Sequence, residues 1–261
     1  MHTQISPIPA FDDNYIWLIR HGDFATLVDP GDEEPALERL QAEGLQLAAI
    51  LITHKHGDHC GGVRGLLQAF AGIPVFGPAQ ESASGVTHPL SEGAELCLPH
   101  SDIRFRVLEL PGHTEGHLAY YHAGAPGVLF CGDTLFACGC GRVFSGTHAQ
   151  LHQSLQRIAA LPADTLCYCA HEYTQANIGF AQWVEPDSAD LRQYAERVAG
   201  LREHDQPSVP TRLADELACN PFLRTAEPRV IRAAEGYAGK PLNDGAAVFT
   251  ALRTWKDKAY D

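Results

Sequence analysis

Three histidines and an aspartate fall within six residues in His54-Lys55-His56-Gly57-Asp58-His59, directly after the apolar run Leu47–Ile52. Imidazole and carboxylate groups are ligands for zinc, iron or manganese. On a locally extended chain His54 and His56 face the same way, while Asp58 and His59, at the turn into a helix, can face a second point nearby. The spacing suits two metal ions better than one. Three more segments read as strands that end in a possible ligand: Arg106 to His113, Val128 to Asp133 and Leu166 to His171. Functional groups of α/β sheets gather beyond the carboxyl ends of strands. A polar loop that happens to hold histidines is the competing reading, and the tight, recurring pattern disfavours it. His117 and His122 lie near a strand but off the pattern. His2, His88, His100, His148, His152 and His204 read as surface or supporting residues.

The elements that must position these groups alternate short strands with short helices. Tyr15–Ile19 and Phe24–Val28 bracket His21-Gly22-Asp23 as a hairpin. Pro35–Glu43 reads as a helix stopped by Gly44, and Val63, Leu66, Leu67 and Phe70 mark a second helical face. Val75-Phe76, Glu95–Leu98, Ile103–Leu110, Leu118–Tyr121, Val128–Cys131 and Thr165–Ala170 read as strands, with a helix through Leu151, Leu155 and Ile158. After His171 the texture becomes helical. Stripes run through Leu191–Leu201, with Asp187 or Ser188 as the cap, through Leu213 and Leu217, and through Val248, Leu252 and Trp255. No strand is expected there. The expected domains are therefore residues 1–171, mixed α/β, and 172–261, all-helical.

Composition narrows the function classes. The 261 residues carry 19 basic and 32 acidic side chains, a formal charge of −13, which opposes binding to nucleic acid or to anionic lipid. The longest apolar run has six residues, far below the ~20 that span a bilayer, and the N-terminal segment lacks the features of a secretory signal. A cytoplasmic location is expected, with the eight cysteines as reduced, mostly buried thiols.

The His-x-His-x-Asp-His motif, with the later Pro111-Gly112-His113, Gly132-Asp133 and strand-end His171, resembles the metallo-β-lactamase superfamily. The segments Phe11–Leu18, Val28–Gly31, Cys138–Thr147, His171–Thr174, Asn220–Arg224 and Leu252–Asp257 are similar to the hydroxyacylglutathione hydrolase (glyoxalase II) family, so the resemblance spans almost the whole chain. It implies a four-layer αββα sandwich followed by an all-helical C-terminal domain that binds substrate. It also implies two divalent metal ions, zinc foremost with iron or manganese as alternatives. The first would take His54, His56 and His113, the second Asp58, His59 and His171, with Asp133 and a water or hydroxide bridging. Asp58 would also orient that hydroxide in catalysis. Glutathione contacts map onto Arg142, Tyr173, Arg253 and Lys256, and Phe144 stands where some members have tyrosine. Lys55 stands where many members carry histidine, and by alternation it points away from the metals.

The chemistry also follows from the donor set. Two divalent cations bring a bridging water towards pKa ~7 and stabilise the oxyanion of acyl transfer, and no Gly-x-Ser-x-Gly elbow is present. A thioester suits this machinery, because a thiol of pKa ~8.5 leaves as thiolate without a strong general acid. What the family resemblance adds is the substrate: the reaction it implies converts S-(2-hydroxyacyl)glutathione, chiefly S-D-lactoylglutathione, to glutathione and D-lactate, the second step of methylglyoxal detoxification. A monomer is expected, with no nucleic-acid or membrane partner. Arg253 and Lys256, three apart on the last helix, share a face; the pattern alone favours two solvated helix charges, and the family resemblance implies that they grip a substrate carboxylate. The alternatives weighed are another hydrolase of the superfamily, an iron-dependent persulfide dioxygenase and a non-catalytic scaffold.

Overall fold

The computed structural model describes residues 3–260, so His2 lies outside the described residues. The chain forms two compact units. The first comprises the chain up to Leu110 and Thr114–Gly132; the second comprises Pro111–His113 and the chain from Asp133 onwards.

In the first unit, β1 (Gln4–Ala10), β2 (Asn14–His21), β3 (Phe24–Val28), β4 (Gln46–Leu51), β5 (Val75–Pro78) and β6 (His88–Leu90) form one sheet in that order. The pairs β1–β2–β3 are antiparallel and β3–β4–β5–β6 parallel. β1 carries Pro7 and Pro9, which weaken any strand reading of the sequence. It is an edge strand, paired only through β2, where a missing N–H can be tolerated. Helix α1 (Glu33–Glu43) starts on Asp32, whose carboxylate accepts from Glu34 N at 3.0 Å, and stops at Gly44 in the left-handed conformation. The one-turn α2 (Gly57–Cys60) and α3 (Val63–Ala69) follow β4. Ala36 and Leu40 of α1 and Val63 and Leu66 of α3 pack with Ile16, Leu18, Leu27 and Ile50 in one apolar core on one face of the sheet. β2 is buried almost throughout, as a strand covered on both faces must be.

The remaining strands of this unit, β7 (Glu95–Cys97), β8 (Arg104–Glu109), β9 (Leu118–His122) and β10 (Val128–Gly132), pair antiparallel in the order β7–β8–β9–β10. They are tied to the end of β4 by Tyr120 Oη donating to Ile52 O at 2.7 Å and Leu118 N donating to Thr53 O at 2.8 Å.

The second unit contains β11 (Leu135–Phe136), β12 (Gly139–Cys140), α4 (His148–Ala159), β13 (Leu166–Cys169), α5 (Thr174–Val184), α6 (Ala189–Arg202), β14 (Thr211–Arg212), α7 (Leu213–Cys219), α8 (Pro228–Ala238) and α9 (Gly245–Trp255). A π-helical turn, Lys256–Tyr260, closes it. β14 corrects the expectation of no strand beyond residue 171. It is two residues long and pairs with β13, too short to leave an alternating pattern. Ser188, not Asp187, caps α6. All eight cysteines are free thiols, and only Cys97 is exposed.

A buried carboxylate organises this unit. Glu216 of α7 is 0% exposed. It accepts from Cys138 N (2.8 Å), Asn220 Nδ2 (2.8 Å), Thr211 Oγ1 (2.7 Å) and Tyr194 Oη (3.4 Å). Asn220 Nδ2 also donates to Gly139 O at 2.9 Å and Asn177 Nδ2 to Ala137 O at 3.1 Å, so helix side chains pin the tight β11–β12 turn from several directions. Burial pushes the Glu216 carboxyl up to about 7 against the pull of its donors. Its native state therefore binds more protons than the unfolded chain between its ordinary 4.5 and about 7. The stability this group contributes is complete below the lower value and is lost as pH rises through the higher one. Glu216→Ala leaves four donors without their acceptor and is expected to cost about 3 kcal/mol or more in urea unfolding. The stability of the parent relative to Glu216→Gln should fall between the two pH values, and a flat difference would contradict the burial effect.

Candidate metal centre

In the first unit the ligand candidates follow directly from β4. Thr53 N donates to Asp29 Oδ1 and Thr53 Oγ1 to Asp29 Oδ2, both at 2.7 Å. The Thr53 hydroxyl proton is thus spent on Asp29, so its contact with His54 Nδ1 at 3.1 Å is one in which the ring N–H donates. That fixes Nε2 as the basic nitrogen of His54. It accepts from His56 Nδ1–H at 3.0 Å, a proton that a cation bound between the two nitrogens would displace. His59, on the single turn of α2, donates Nδ1–H to Asp29 Oδ2 at 3.0 Å and turns Nε2 towards Asp58 Oδ2 at 3.5 Å. Asn14 Nδ2 donates to that same Asp58 oxygen at 3.2 Å. His54 and His59 pack with ring centroids 4.0 Å apart, and His117 stacks on His54 at 4.8 Å. Holding the outer nitrogen of an imidazole so that the inner one binds is the usual support of a metal-ligating histidine.

Asp29 at the end of β3 is thus the hub of this half. Gly31 follows it, and a Cβ there would lie 1.9 Å from Asp58 O, so only glycine lets the two loops approach. Asp29 and Asn14 are neighbours of the ligands that the sequence pattern does not single out, and His117, off the pattern in sequence, stacks on His54. Asn14 and Asp29 lie in the segments Phe11–Leu18 and Val28–Gly31 that carry the family resemblance, which is the signal the sequence offers for them.

In the second unit His113 donates Nδ1–H to Arg142 O at 2.8 Å, which again leaves Nε2 as the basic nitrogen. Asp133 presents one oxygen to each of two rings: Oδ2 lies 3.5 Å from His113 Nε2 and Oδ1 3.4 Å from His171 Nε2. A carboxylate set between two imidazole nitrogens in this way has the arrangement a bridging ligand needs. The donor set of each unit, imidazole nitrogen and carboxylate oxygen only, fits a zinc, iron or manganese ion.

The residues expected to contact glutathione also lie in the second unit, but not all face solvent. Phe144 N donates to His113 O at 3.0 Å, and its ring meets the His113 ring edge-on at 5.2 Å. Phe144 is 65% exposed. Tyr173 stacks on His171 at 4.7 Å. Arg142 is exposed, with Nε 3.9 Å from Asp257 Oδ1. Arg253, in contrast, is 1% exposed and Lys256 6% exposed. Arg253 Nη1 donates to Cys140 O at 3.0 Å, while Nε and Nη2 reach Asp257 Oδ1 at 3.1 and 2.9 Å. The carboxylate that Arg253 grips in the structure is that of Asp257. Trp255, which ends α9, packs on Tyr237 of α8 at 5.2 Å and Phe180 of α5 at 5.6 Å.

The comparisons with known proteins agree along the chain. Residues 10–171 match the model of the metallo-beta-lactamase superfamily, and residues 172–259 match that of the hydroxyacylglutathione hydrolase C-terminus. The chain is 49% identical to the hydroxyacylglutathione hydrolase of Nitrosomonas eutropha over 253 residues, 97% of this chain and 98% of that protein. It is 52% identical to that of Alkalilimnicola ehrlichii over 259 residues, 98% and 100% of the two chains. Among solved structures, BLEG-1 B3 metallo-beta-lactamase superposes with a TM-score of 0.64 at 24% identity, covering 85% of this chain and all of that one. TTHA1623 in a di-iron-bound form superposes at 0.56 and 31% identity, over 64% and 91%. The expected fold class, an α/β sandwich with a helical C-terminal region, is the one found.

Asp29→Ala removes the shared acceptor of Thr53 and His59. It should weaken zinc binding about 10- to 100-fold in competition with a chelator; unchanged affinity would show that Asp29 does not orient a ligand.

Proposed function

The chain belongs to the hydroxyacylglutathione hydrolase family of the metallo-beta-lactamase superfamily, a family of metal-dependent hydrolases, and from that footing we propose that it cleaves S-(2-hydroxyacyl)glutathione, chiefly S-D-lactoylglutathione, to glutathione and D-lactate, the second step of methylglyoxal detoxification. The observation that carries the reading is the pair of preset ligand groups, His54, His56, Asp58 and His59 in one unit and His113, Asp133 and His171 in the other. We assign His54, His56 and His113 to one metal, Asp58, His59 and His171 to the second, and Asp133 to both, with zinc in each position. When bound, such ions supply a nucleophilic water near neutral pH and polarise the scissile carbonyl.

The chain's own groups do the rest. Asn14 holds the Asp58 carboxylate through its Oδ2, and we assign to that carboxylate the orientation of the attacking water. The thioester sulfur departs as thiolate, which needs no general acid of its own. The chain as a whole carries −13, so an anionic tripeptide must be held by local cations, and salt screens the rest beyond ~8–10 Å. We assign this to the helical domain, residues 172–261, together with Arg142 and Phe144 of the catalytic domain, residues 1–171. Arg142 and Tyr173 meet the substrate at the surface. Arg253 and Lys256 act from within, Arg253 by fixing the Cys140 carbonyl and Asp257. No helix among the described residues is long and apolar enough to cross a membrane, and we read the protein as a cytoplasmic monomer that binds no nucleic acid.

The test is loss of thioester absorbance with release of free thiol. Metal-loaded protein should turn over S-D-lactoylglutathione, Asp58→Asn should lower kcat by about a hundredfold or more, and Arg142→Met should raise KM roughly tenfold at similar kcat. Loaded protein that leaves the thioester intact would refute the assignment.

A further inference from the structure

Lys55 lies between two assigned ligands, His54 and His56. Its backbone N–H donates to Glu81 Oε1 at 2.8 Å, and its ammonium lies 3.9 Å from Glu81 Oε2. Glu81 stands between β5 and β6, far from the motif in sequence, yet its side chain is only 4% exposed. The same carboxylate accepts from Thr114 Oγ1 at 3.1 Å and from Gly116 N at 3.2 Å. Thr114 and Gly116 open the segment that directly follows His113. A Cβ at residue 116 would come within 2.8 Å of Glu81 Cγ, so the glycine makes room for this side chain. A buried carboxylate is costly unless its oxygens are paired, and here both are, by two backbone amides, a hydroxyl and an ammonium.

We propose that Glu81 is a positioning residue for the metal-binding loop, with Lys55 as its counter-charge. Holding the amide of residue 55 fixes the peptide that joins His54 to Lys55, and with it the angle between the His54 and His56 rings. Holding Thr114 and Gly116 anchors the chain where it leaves His113. Two contacts brace the same junction independently: Leu118 N donates to Thr53 O at 2.8 Å, and His117 stacks on His54. Lysine at residue 55 is accordingly matched to an acid at residue 81. The inference rests on the ligand assignment given above and concerns binding geometry, not the identity of the substrate.

The experiment is zinc titration of the full chain, stripped of metal, in competition with a chromophoric chelator, alongside thermal unfolding of the metal-free protein. Glu81→Gln places an amide donor against the amides of Lys55 or Gly116, and its zinc affinity should fall at least tenfold. Thr114→Val, which removes one donor at nearly constant volume, should weaken zinc binding severalfold while the metal-free melting temperature stays near that of the parent. A merely structural role would lower the melting temperature and leave zinc affinity in place. Folded Glu81→Gln binding zinc within twofold of the parent would overturn the proposal. If that variant does not fold, Thr114→Val binding within twofold of the parent overturns it instead. A parent protein without zinc affinity would refute the ligand assignment itself, and shows before any variant is compared. Failure to hydrolyse lactoylglutathione with zinc affinity intact would bear on the substrate alone.

Discussion

An imidazole can offer a metal only the nitrogen that carries no proton, so each ligand ring needs an acceptor for its other nitrogen. His59 has the Asp29 carboxylate, His113 has the Arg142 carbonyl, and His54 has the Thr53 hydroxyl, whose own proton is committed to Asp29. Much of the local structure serves this requirement. Asp29 sits at the end of β3 so that one carboxylate can serve Thr53 and His59 together. Gly31 lets the Asp29 loop approach Asp58. The antiparallel strands meet the end of β4 through Tyr120 and Leu118, which holds the start of the ligand loop in place.

The second unit meets a different demand, the support of a short turn without regular secondary structure of any length. Between Asp133 and Arg142 the chain makes only β11 and β12, two residues each. Polar backbone groups along it are met by Glu216, Asn177 and Arg253 from helices and by Asn220, the residue that follows α7. Apolar packing of Cys138 with Ile178, Leu191, Tyr194 and Val198 completes the support. The helices after residue 171 thus hold the turn that begins at an assigned bridging ligand and ends at an assigned substrate contact.

The ligand candidates were legible because their spacing is local: three histidines and an aspartate on one loop, and single ligands at strand ends. Their supports were not, because each comes from a distant segment. Asp29, Asn14, Glu81 and His117 have no distinctive local pattern, and only folding brings them to the loop after β4. β1 was obscured by two prolines that an edge position tolerates. The stripe through Val248, Leu252 and Trp255 does mark the last helix, but spacing alone does not tell that Arg253 points inward, where Asp257 and the Cys140 carbonyl receive it. Periodicity reports which residues share a face, and the partner on that face is set by the rest of the chain.

The central claim is that the rings of His54, His59 and His113 are preset before any metal arrives. Long-range proton–nitrogen correlation spectra of the metal-free protein, recorded at about pH 8, above the ordinary histidine range, read the tautomer of each ring directly. The predicted result is Nδ1-protonated His54, His59 and His113, with Nε2 as the basic nitrogen. Nε2-protonated forms of these three residues would contradict it, since the nitrogen assigned to the metal would then carry the proton.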